Sequence, residues 1–539
     1  MRNILLVILF SFGTTTVFCE SYMFRIELKD KGNPPSYTIE NPSAYLSEKS
    51  IERRQRQGIS IDNTDLPIDP LYLDEIRLTG ASIKATSKWV KTVTVYLPDS
   101  SAIPALKNLS FIDTLYCVWK GDLPQSDLLK SGEDKCVKSE SYNPSSKREM
   151  NMYGEGYEQI SMVNGNLLHD AGFKGKGISI AILDVGFQNC DQIPALNFNQ
   201  IKEVKNFTHD LEDPLRNTEV HGTAVLSCML ANQPGVMVGT APEADYYLFK
   251  TEVEGEEFPI EEDYWVTAIE YADSIGIDII NTSLGYSTFD DPSMNHIYEQ
   301  LDGYTILASR VASIAGNKGM LIIDAAGNDG NKPWEKINVP CDADNIITVG
   351  AVNSNGIIAN FSSKGPSADG RIKPDLCAMG EFTTIIKADG TVSKGNGTSY
   401  ASPILAGAGA CLWQALPQKS SKEIIALMKS AGDRYLNPDF EYGYGIPDIG
   451  KAYTNNTTDI AETSKCISLL FFDTMTNCLY QKNTDPGKIY LQIFNSQGQL
   501  IFQDNDITMP VDLSNLNQGI YIAHIRQGEK RAVQKFLKW

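Results

Sequence analysis

The sequence has few of the features that mark nucleic-acid-binding, metal-binding or membrane proteins. Its 539 residues include 47 Lys and Arg against 67 Asp and Glu, so the formal net charge is −20 and binding of nucleic acid through bulk positive charge is excluded. No two cysteines have CxxC spacing and the 5 histidines do not cluster with cysteines, so no metal site is predicted. The hydrophobic fraction of 42% excludes a disordered chain, and the length is enough for three or four domains.

Long hydrophobic runs are missing too, apart from a short one at the N-terminus. Arg2 precedes an apolar run from Ile4 to Phe12, which predicts a secretory signal peptide over residues 1–19. Bulky Phe18 argues against lipidation at Cys19, and no later run approaches the ~20 apolar residues of a membrane helix. We therefore expect an exported, soluble protein.

The cysteines of an exported protein can form disulfide bonds, because thiols pair in an oxidising compartment. Nine cysteines remain after the signal peptide, an odd number, so at least one stays free or pairs outside the chain. Cys228 and Cys411 lie in apolar, helix-like stretches and are predicted to be buried and unpaired.

Changes in composition divide the rest of the chain. Residues 20–120 combine strand-like runs with helical stretches at 44–57, 69–78 and 102–109, which predicts a small α+β domain. Residues 121–152 are polar and predict an exposed linker that is open to proteolytic cleavage.

Residues 153–455 contain short, near-continuous apolar runs that alternate with helical patterns. Such runs suit strands buried on both faces of a parallel sheet, so we predict an α/β domain with three layers. After a short linker at 456–465, residues 466–539 show alternating runs broken by turns, which predict a small antiparallel β-sandwich.

Reactive side chains follow or precede glycine at three places in the α/β domain. Asp184 is the last residue of the run AILD, and His221 is the second residue of VHGTAV. Ser399 lies in GNGTSYASP, at the start of a predicted helix whose first turn would contain Pro403. A serine nucleophile needs a base and an anion that orients the base, and these three residues supply those groups. Asn328, in AAGNDG, could donate a hydrogen bond to the oxyanion beside the Ser399 backbone N–H.

With these motifs in this order, the domain resembles the subtilisin-like serine proteases, or subtilases, over roughly 153–453. NTSLG, FSSKGP and EYGYGIPD are similar to further stretches of that family. The resemblance implies a catalytic triad of Asp184, His221 and Ser399 and an oxyanion hole formed by Asn328 and Ser399. It also implies that two short segments bind substrate, namely Ser283, Leu284, Gly285, Ala325, Ala326 and Gly327. Because these residues are small or apolar, apolar substrate side chains are expected, while Asn281 is a further candidate contact.

The flanking regions gain roles from the same resemblance. Residues 20–120 lie where subtilases carry a prodomain that assists folding and inhibits the enzyme; a permanent binding domain is the alternative. Residues 466–539, with the phrase DLSNLNQGIYI and a basic finish, resemble the sorting domain of type IX secretion in Gram-negative bacteria. An adhesive or carbohydrate-binding β-sandwich is the alternative there.

The prediction for the whole chain is a secreted serine endopeptidase made as a zymogen, found outside the cell or at the surface of a Gram-negative bacterium. Its expected partners are protein or peptide substrates, its own prodomain and the outer-membrane secretion machinery, and not nucleic acid. No cofactor is required, although structural calcium is possible. The rival is an inactive surface binding or adhesion protein on a protease fold, supported only by Val185, which stands where the family commonly has a hydroxyl residue. An esterase with the same triad is a second rival.

Overall fold

The structure is a computed structural model that describes residues 21–34, 36–121, 152–210, 212–457 and 470–538, without 474–475, 482–488, 508–509 and 528–529. The predicted signal peptide and nearly all of the predicted linker at 121–152 lie outside the described residues. The chain divides into two compact units, Met1–Tyr453 and Thr454–Trp539. Among the described helices, none is both long and apolar enough to cross a bilayer.

The N-terminal domain is a four-stranded antiparallel sheet with helices, in the order β2-β3-β1-β4. Its elements are β1 (Ser21–Leu28), α1 (Glu48–Arg56), α2 (Pro70–Leu78), β2 (Ser82–Ser87), β3 (Thr92–Leu97), α3 (Ile103–Lys107) and β4 (Ile112–Gly121). The helix predicted over 44–57 begins only at Glu48, because the Ser47 side chain accepts a hydrogen bond from the Ser50 backbone N–H and so caps the helix there. Residues 88–91 form the turn between β2 and β3, and Trp89 in this turn is buried.

The large domain surrounds a seven-stranded sheet in the order β13-β12-β11-β10-β5-β9-β6, with every neighbouring pair parallel. Its elements are α4 (Tyr157–Met162), α5 (Gly165–Asp170), β5 (Ser179–Asp184), β6 (Ile201–Asn206), α6 (His221–Leu230), β7 (Asn232–Gln233), β8 (Met237–Val238), β9 (Asp245–Lys250), α7 (Ile260–Ile275), β10 (Ile279–Thr282), α8 (Leu307–Asn317), β11 (Leu321–Ala325), β12 (Ile347–Val352), β13 (Leu376–Met379), β14 (Thr383–Ile386), β15 (Val392–Gly395), α9 (Thr398–Ala415), α10 (Ser421–Ser430) and α11 (Ile449–Thr457).

Alternate residues of the strands face two different hydrophobic layers. In β5, Ile180 and Ile182 pack with α6 and α9, whereas Ala181 and Leu183 pack with α7 and α8. Both faces of the sheet are therefore covered, which explains why the strands are apolar at consecutive positions and confirms the predicted three-layer α/β class. Cys228 and Cys411 are buried, unpaired thiols in α6 and α9, as predicted.

Helix α9 contains a proline that the sequence had placed in the first turn. Pro403 is instead the sixth residue of the helix, so its missing N–H leaves the carbonyl oxygen of Ser399 without a helical donor. The Ser283 hydroxyl, just after β10, donates to that oxygen at 3.0 Å. Because of Pro403, the Ser399 carbonyl is thus hydrogen-bonded to the segment that follows β10.

The N-terminal domain contacts the large domain at the amino ends of the parallel strands. Helix α1 places Lys49 Nζ 2.6 Å from the hydroxyl of Ser179, at the start of β5, and 3.2 Å from the Asp278 carboxylate, which precedes β10. Gln57 donates to the carbonyl of Gly319, just before β11, at 2.8 Å. Helix α1 therefore covers the amino ends of the strands, whereas Asp184 lies at their carboxyl ends.

The last strand of the same domain ends on a loop near His221. Trp119 Nε1 donates to Glu256 at 2.8 Å, and Lys120 pairs with Asp291 at 2.7 Å. Two residues before Glu256, the Glu254 carboxylate accepts a hydrogen bond from Thr218, three residues before His221. The chain therefore leaves the N-terminal domain beside the loop that borders His221.

The C-terminal unit consists of two antiparallel sheets, β16-β17-β20 and β19-β18-β21-β22. Its strands are β16 (Leu470–Asp473), β17 (Cys478–Gln481), β18 (Ile489–Asn495), β19 (Leu500–Ile507), β20 (Val511–Asp512), β21 (Gly519–Gln527) and β22 (Lys530–Lys538). Buried Leu479 of the first sheet packs with Leu491, Ile493 and Ala523 of the second. Two sheets around one core form a small sandwich.

Candidate active site

Two polar residues meet at the carboxyl edge of the parallel sheet. Asp184 is the last residue of β5 and fully buried, and His221 is the first residue of α6. The Nδ1 atom of His221 lies 2.9 Å from Asp184 Oδ1 and 3.1 Å from Oδ2. Because a carboxylate only accepts, Nδ1 must carry the proton, which leaves Nε2 of the neutral ring as an acceptor. The Val185 backbone N–H also donates to Asp184 Oδ1 at 2.9 Å.

Ser399 lies in the first turn of α9, which packs against α6. Its backbone N–H has no partner four residues earlier in the helix and so is free to bind an anion. Its hydroxyl donates to the carbonyl oxygen of Ser283 at 3.4 Å rather than to His221. The next side chain, Tyr400, has its ring 6.0 Å from the His221 ring. The packing of α9 on α6 therefore brings the Ser399 and His221 turns together.

Asn328 follows β11 and is held by the turn that precedes Ser399. Its Oδ1 accepts the Thr398 backbone N–H at 2.9 Å and the Thr398 hydroxyl at 3.2 Å. A backbone N–H can only donate, so the amide oxygen must face Thr398 and the amide Nδ2 must point away from it. Asn328 thereby presents a donor at the same cavity that Ser399 lines.

A cavity of about 220 Å³ opens next to Ser399. Of the predicted substrate-binding residues, it is lined by Ser283, Leu284, Gly285, Ala325 and Gly327. Ala326 does not line this cavity; it follows the end of β11, is fully buried and packs in the hydrophobic layer that contains α7 and α8. The candidate Asn281 is fully buried and accepts a hydrogen bond from Ser402 at 2.9 Å instead of facing the cavity.

The cavity is also lined by polar residues, which the sequence analysis did not foresee. Asp329, Lys332 and Asn338 line it together with Thr398. Asn338 Nδ2 donates to Asp329 Oδ2 at 3.0 Å, and Lys332 Nζ pairs with Asp329 Oδ1 at 2.9 Å. Asp329 stands in the AAGNDG motif next to Asn328, but nothing in the local pattern around Asn338 connects it with this pocket.

The charges around His221 favour its protonated form. Burial lowers the pKa of His221, but the Asp184 carboxylate outweighs burial and, with a smaller contribution from Glu219, raises the pKa above its usual 6.5. Burial also raises the pKa of Glu219, and the nearby Glu254 carboxylate adds to that effect. The ring remains 30% exposed, so it is reachable from solvent. Within the described residues, no three His, Cys, Asp or Glu side chains are grouped so that they could hold a metal ion.

Comparison with known protein families assigns all three regions. The family described as "Subtilase family" matches residues 175–445, half of the chain. The "Peptidase S8 propeptide domain, Bacteroidota" matches residues 23–131, and the "Secretion system C-terminal sorting domain" matches residues 475–538. The N-terminal domain is thus a propeptide domain, consistent with a zymogen, and the C-terminal unit is a sorting tail.

Curated relatives agree with this assignment. Subtilisin E of Bacillus subtilis (strain 168) is 30% identical over 296 residues, which cover 54% of this chain and 70% of that protein. Subtilisin-like protease SBT6.1 of Arabidopsis thaliana is 26% identical over 348 residues, covering 62% of this chain but only 31% of that protein.

Among solved structures, the epidermin leader peptide processing serine protease (EpiP) from Staphylococcus aureus shares the fold, with a TM-score of 0.56 and 18% identity over 83% of this chain and all of that one. The chain belongs to the subtilase family and is a serine endopeptidase.

Proposed function

We propose that Ser399 is the nucleophile of this endopeptidase, that His221 is its general base and acid, and that Asp184 orients His221. The observation that carries this assignment is the Asp184–His221 hydrogen bond at the carboxyl edge of the sheet, beside helix α9, whose first turn contains Ser399. The bond to the carboxylate fixes the ring tautomer whose Nε2 accepts a proton. A hydrogen bond between a catalytic serine and its histidine is often long without substrate and tightens once substrate binds. We expect the Ser399 hydroxyl then to leave the Ser283 carbonyl and to donate to His221.

The proposed reaction has two halves. In the first, Ser399 Oγ bonds to the carbonyl carbon of the scissile peptide while its proton passes to His221 Nε2. The carbonyl oxygen becomes an oxyanion, which accepts hydrogen bonds from the Ser399 N–H and from Asn328 Nδ2. The C–N bond then breaks, the amine leaves with the proton from His221, and an acyl-enzyme remains. In the second half, water attacks the acyl group through the same relay and frees Ser399. None of these steps requires a metal or an organic cofactor.

We further propose that the propeptide domain inhibits the enzyme within the same chain until the 121–152 segment is cut. Two observations support this proposal. The domain is held to α7 by ion pairs, including that of partly buried Arg25 with buried Asp263 at 2.6 Å. Its last strand ends at Gly121, beside the loop that borders His221, so the chain that follows leaves it close to the active site.

The sorting tail supports a proposal on location. A signal peptide at 1–19 would bring the chain to the periplasm of a Gram-negative cell, and the tail at 466–539 would direct it through the outer membrane by type IX secretion. A chain that ends at residue 465 should then accumulate in the periplasm, whereas the full chain should reach the medium or the cell surface. Equal export of both chains would contradict this role of the tail.

The deciding experiment compares wild-type protein with Ser399→Ala, each produced from residue 20 onward. We expect the wild type to hydrolyse casein and to cut itself between residues 121 and 152, as seen by intact mass, while Ser399→Ala does neither. Ser430→Ala, at the exposed end of α10, is the matched control and should behave as wild type. Proteolysis by Ser399→Ala would disprove the mechanism. An inert wild type that stays inert after mild trypsin nicking would favour a binding protein.

A further inference from the structure

Helix α7 carries three buried carboxylates at positions that share one helix face: Asp263, Glu270 and Asp273. Arg25, in β1 of the propeptide domain, lies 2.6 Å from the Asp263 carboxylate, and the Thr94 hydroxyl of β3 donates to it at 2.7 Å. Asp273 pairs with two guanidinium groups of α1. The acidic face of α7 is therefore covered by cations and donors of the propeptide domain.

Glu270 is bound by the turn between β2 and β3. The backbone N–H groups of Lys88 and Trp89 donate to its carboxylate at 2.9 and 3.0 Å, and the Ser87 hydroxyl donates as well. In the described part of the chain, each hydrogen bond that the three α7 carboxylates accept comes from the propeptide domain. If the domain left, all three would lose their partners and water would have to replace them.

Apolar contacts surround these hydrogen bonds. Trp89, which is 5% exposed, belongs to the hydrophobic layer that contains α7 and α8. Met23 and Trp119 of the propeptide sheet pack in one cluster with Ile260 and Tyr264 of α7. Departure of the domain would expose these α7 side chains to water, and the free energy that their burial contributes to association would be lost.

Helix α1 and the residues after it make a second contact, at the amino ends of the strands. Gln57 donates to the Gly319 carbonyl at 2.8 Å and accepts from the Ser421 backbone N–H, at the start of α10, at 2.9 Å. A β-carbon at Gly276 would lie 2.7 Å from the backbone nitrogen of Ser50. The two domains thus pack closely at the end of the sheet opposite to the candidate active site.

The proposed cut leaves every one of these contacts intact. The propeptide residues that make them all precede Gly121, whereas the cut lies between residues 121 and 152. The propeptide and protease domains also belong to one compact unit, Met1–Tyr453. Cutting the chain therefore removes the tether between the domains and no part of their hydrogen-bonded, apolar interface, which is the kind that holds separate chains together.

We propose that the propeptide domain stays bound to α7 and to the amino ends of the strands after the cut, so that the active enzyme is a complex of two chains. The proposal rests on the proposed function, from which it takes the cut and the Ser399 mechanism. Inhibition ends because the chain that follows Gly121 is released from the active site, and not because the domain leaves. The carboxyl ends of the strands, where Asp184 lies, stay open to substrate because α1 covers the other ends.

The first experiment follows the wild-type chain from residue 20 onward after it has cut itself. Size-exclusion chromatography at about 10 nM, where a complex with a nanomolar Kd stays mostly assembled, separates free from bound fragments. We expect the propeptide and protease fragments in one peak by intact mass, and a fluorophosphonate probe should label Ser399 in that peak. Labelled protease without the propeptide fragment would overturn the proposal, and so would a two-chain peak that the probe cannot label.

The second experiment measures the interface without catalysis. The Ser399→Ala chain is nicked by trypsin in the 121–152 segment, which contains five Lys and Arg residues, and dissociation of the fragments is followed on dilution. Glu270→Gln should raise the Kd of the fragments roughly 10- to 100-fold, because an amide has one oxygen acceptor where the carboxylate has two. Glu299→Gln, at an exposed position of the protease domain, is the matched control and should leave the Kd unchanged.

Other outcomes separate the two proposals. If Glu270→Gln does not fold, Ser87→Ala on the propeptide side serves instead and should also raise the Kd. Fragments of the nicked chain that separate at about 10 nM, or a Kd that neither substitution changes, overturn the retention of the domain. A wild type that neither cuts itself nor hydrolyses casein overturns the proposed function, while the nicked Ser399→Ala chain still tests the interface.

Discussion

Replacing Asp273 by Asn should weaken the contact between the propeptide domain and the protease domain. We expect it to lower the free energy of unfolding more than the loss of an exposed carboxylate does. Asp273, in α7, is fully buried and pairs with two guanidinium groups of α1, those of Arg53 and Arg54; the Arg54 contact is 2.6 Å. Arg54 also pairs with Asp65, which pairs with Lys318 of the protease domain at 2.9 Å. Three cations thus share two buried carboxylates, and the substitution leaves three cations around one.

Removing one partner of a buried ion pair costs about 3–5 kcal/mol, because the remaining charge stays out of water without compensation. The measurement is urea unfolding of the full chain in the Ser399→Ala background, which prevents self-digestion. Asp74→Asn is the control, since the Arg77–Asp74 pair is 53% and 65% exposed, and such pairs contribute about 0–1 kcal/mol. A loss of less than about 1 kcal/mol for Asp273→Asn, no larger than in the control, would refute the reasoning.

Three further predictions concern the active site. Asn328→Ala should lower kcat by about 10²- to 10³-fold, the loss expected when one donor is removed from an oxyanion hole, with KM little changed; a loss below about threefold in single-turnover assays would exclude it from the oxyanion hole. Glu219→Gln should move the acidic limb of the kcat/KM–pH profile to lower pH, because the neutral base forms above the raised pKa of His221 and Glu219 contributes to raising it. A limb that stays or moves up would contradict this. Tyr400→Met should make the enzyme sensitive to mild peroxide, since a thioether beside Ser399 is oxidisable; equal inactivation rates of variant and wild type would count against this.

Much of the fold could be predicted from local pattern. Consecutive apolar residues in β5, β9, β10, β11 and β12 indicated a sheet covered on both faces, and the helical patterns between these runs indicated the helices that cover it. Strand β6 was not predicted, because its sequence IKEVKN carries charges at an edge of the sheet where only partial burial is needed.

The candidate site divides in the same way. Local pattern was enough to identify the reactive side chains at strand and helix ends, because a polar residue beside glycine directly after an apolar run is a local signal. It also determined the order of the propeptide, protease and sorting regions. The tertiary structure was needed to show that Asn338 lines the cavity beside Ser399, that Ala326 packs in the core instead, and that α1 covers the amino ends of the strands. These facts depend on contacts between segments far apart in the chain, and no local periodicity encodes which distant backbone will lie opposite a given side chain.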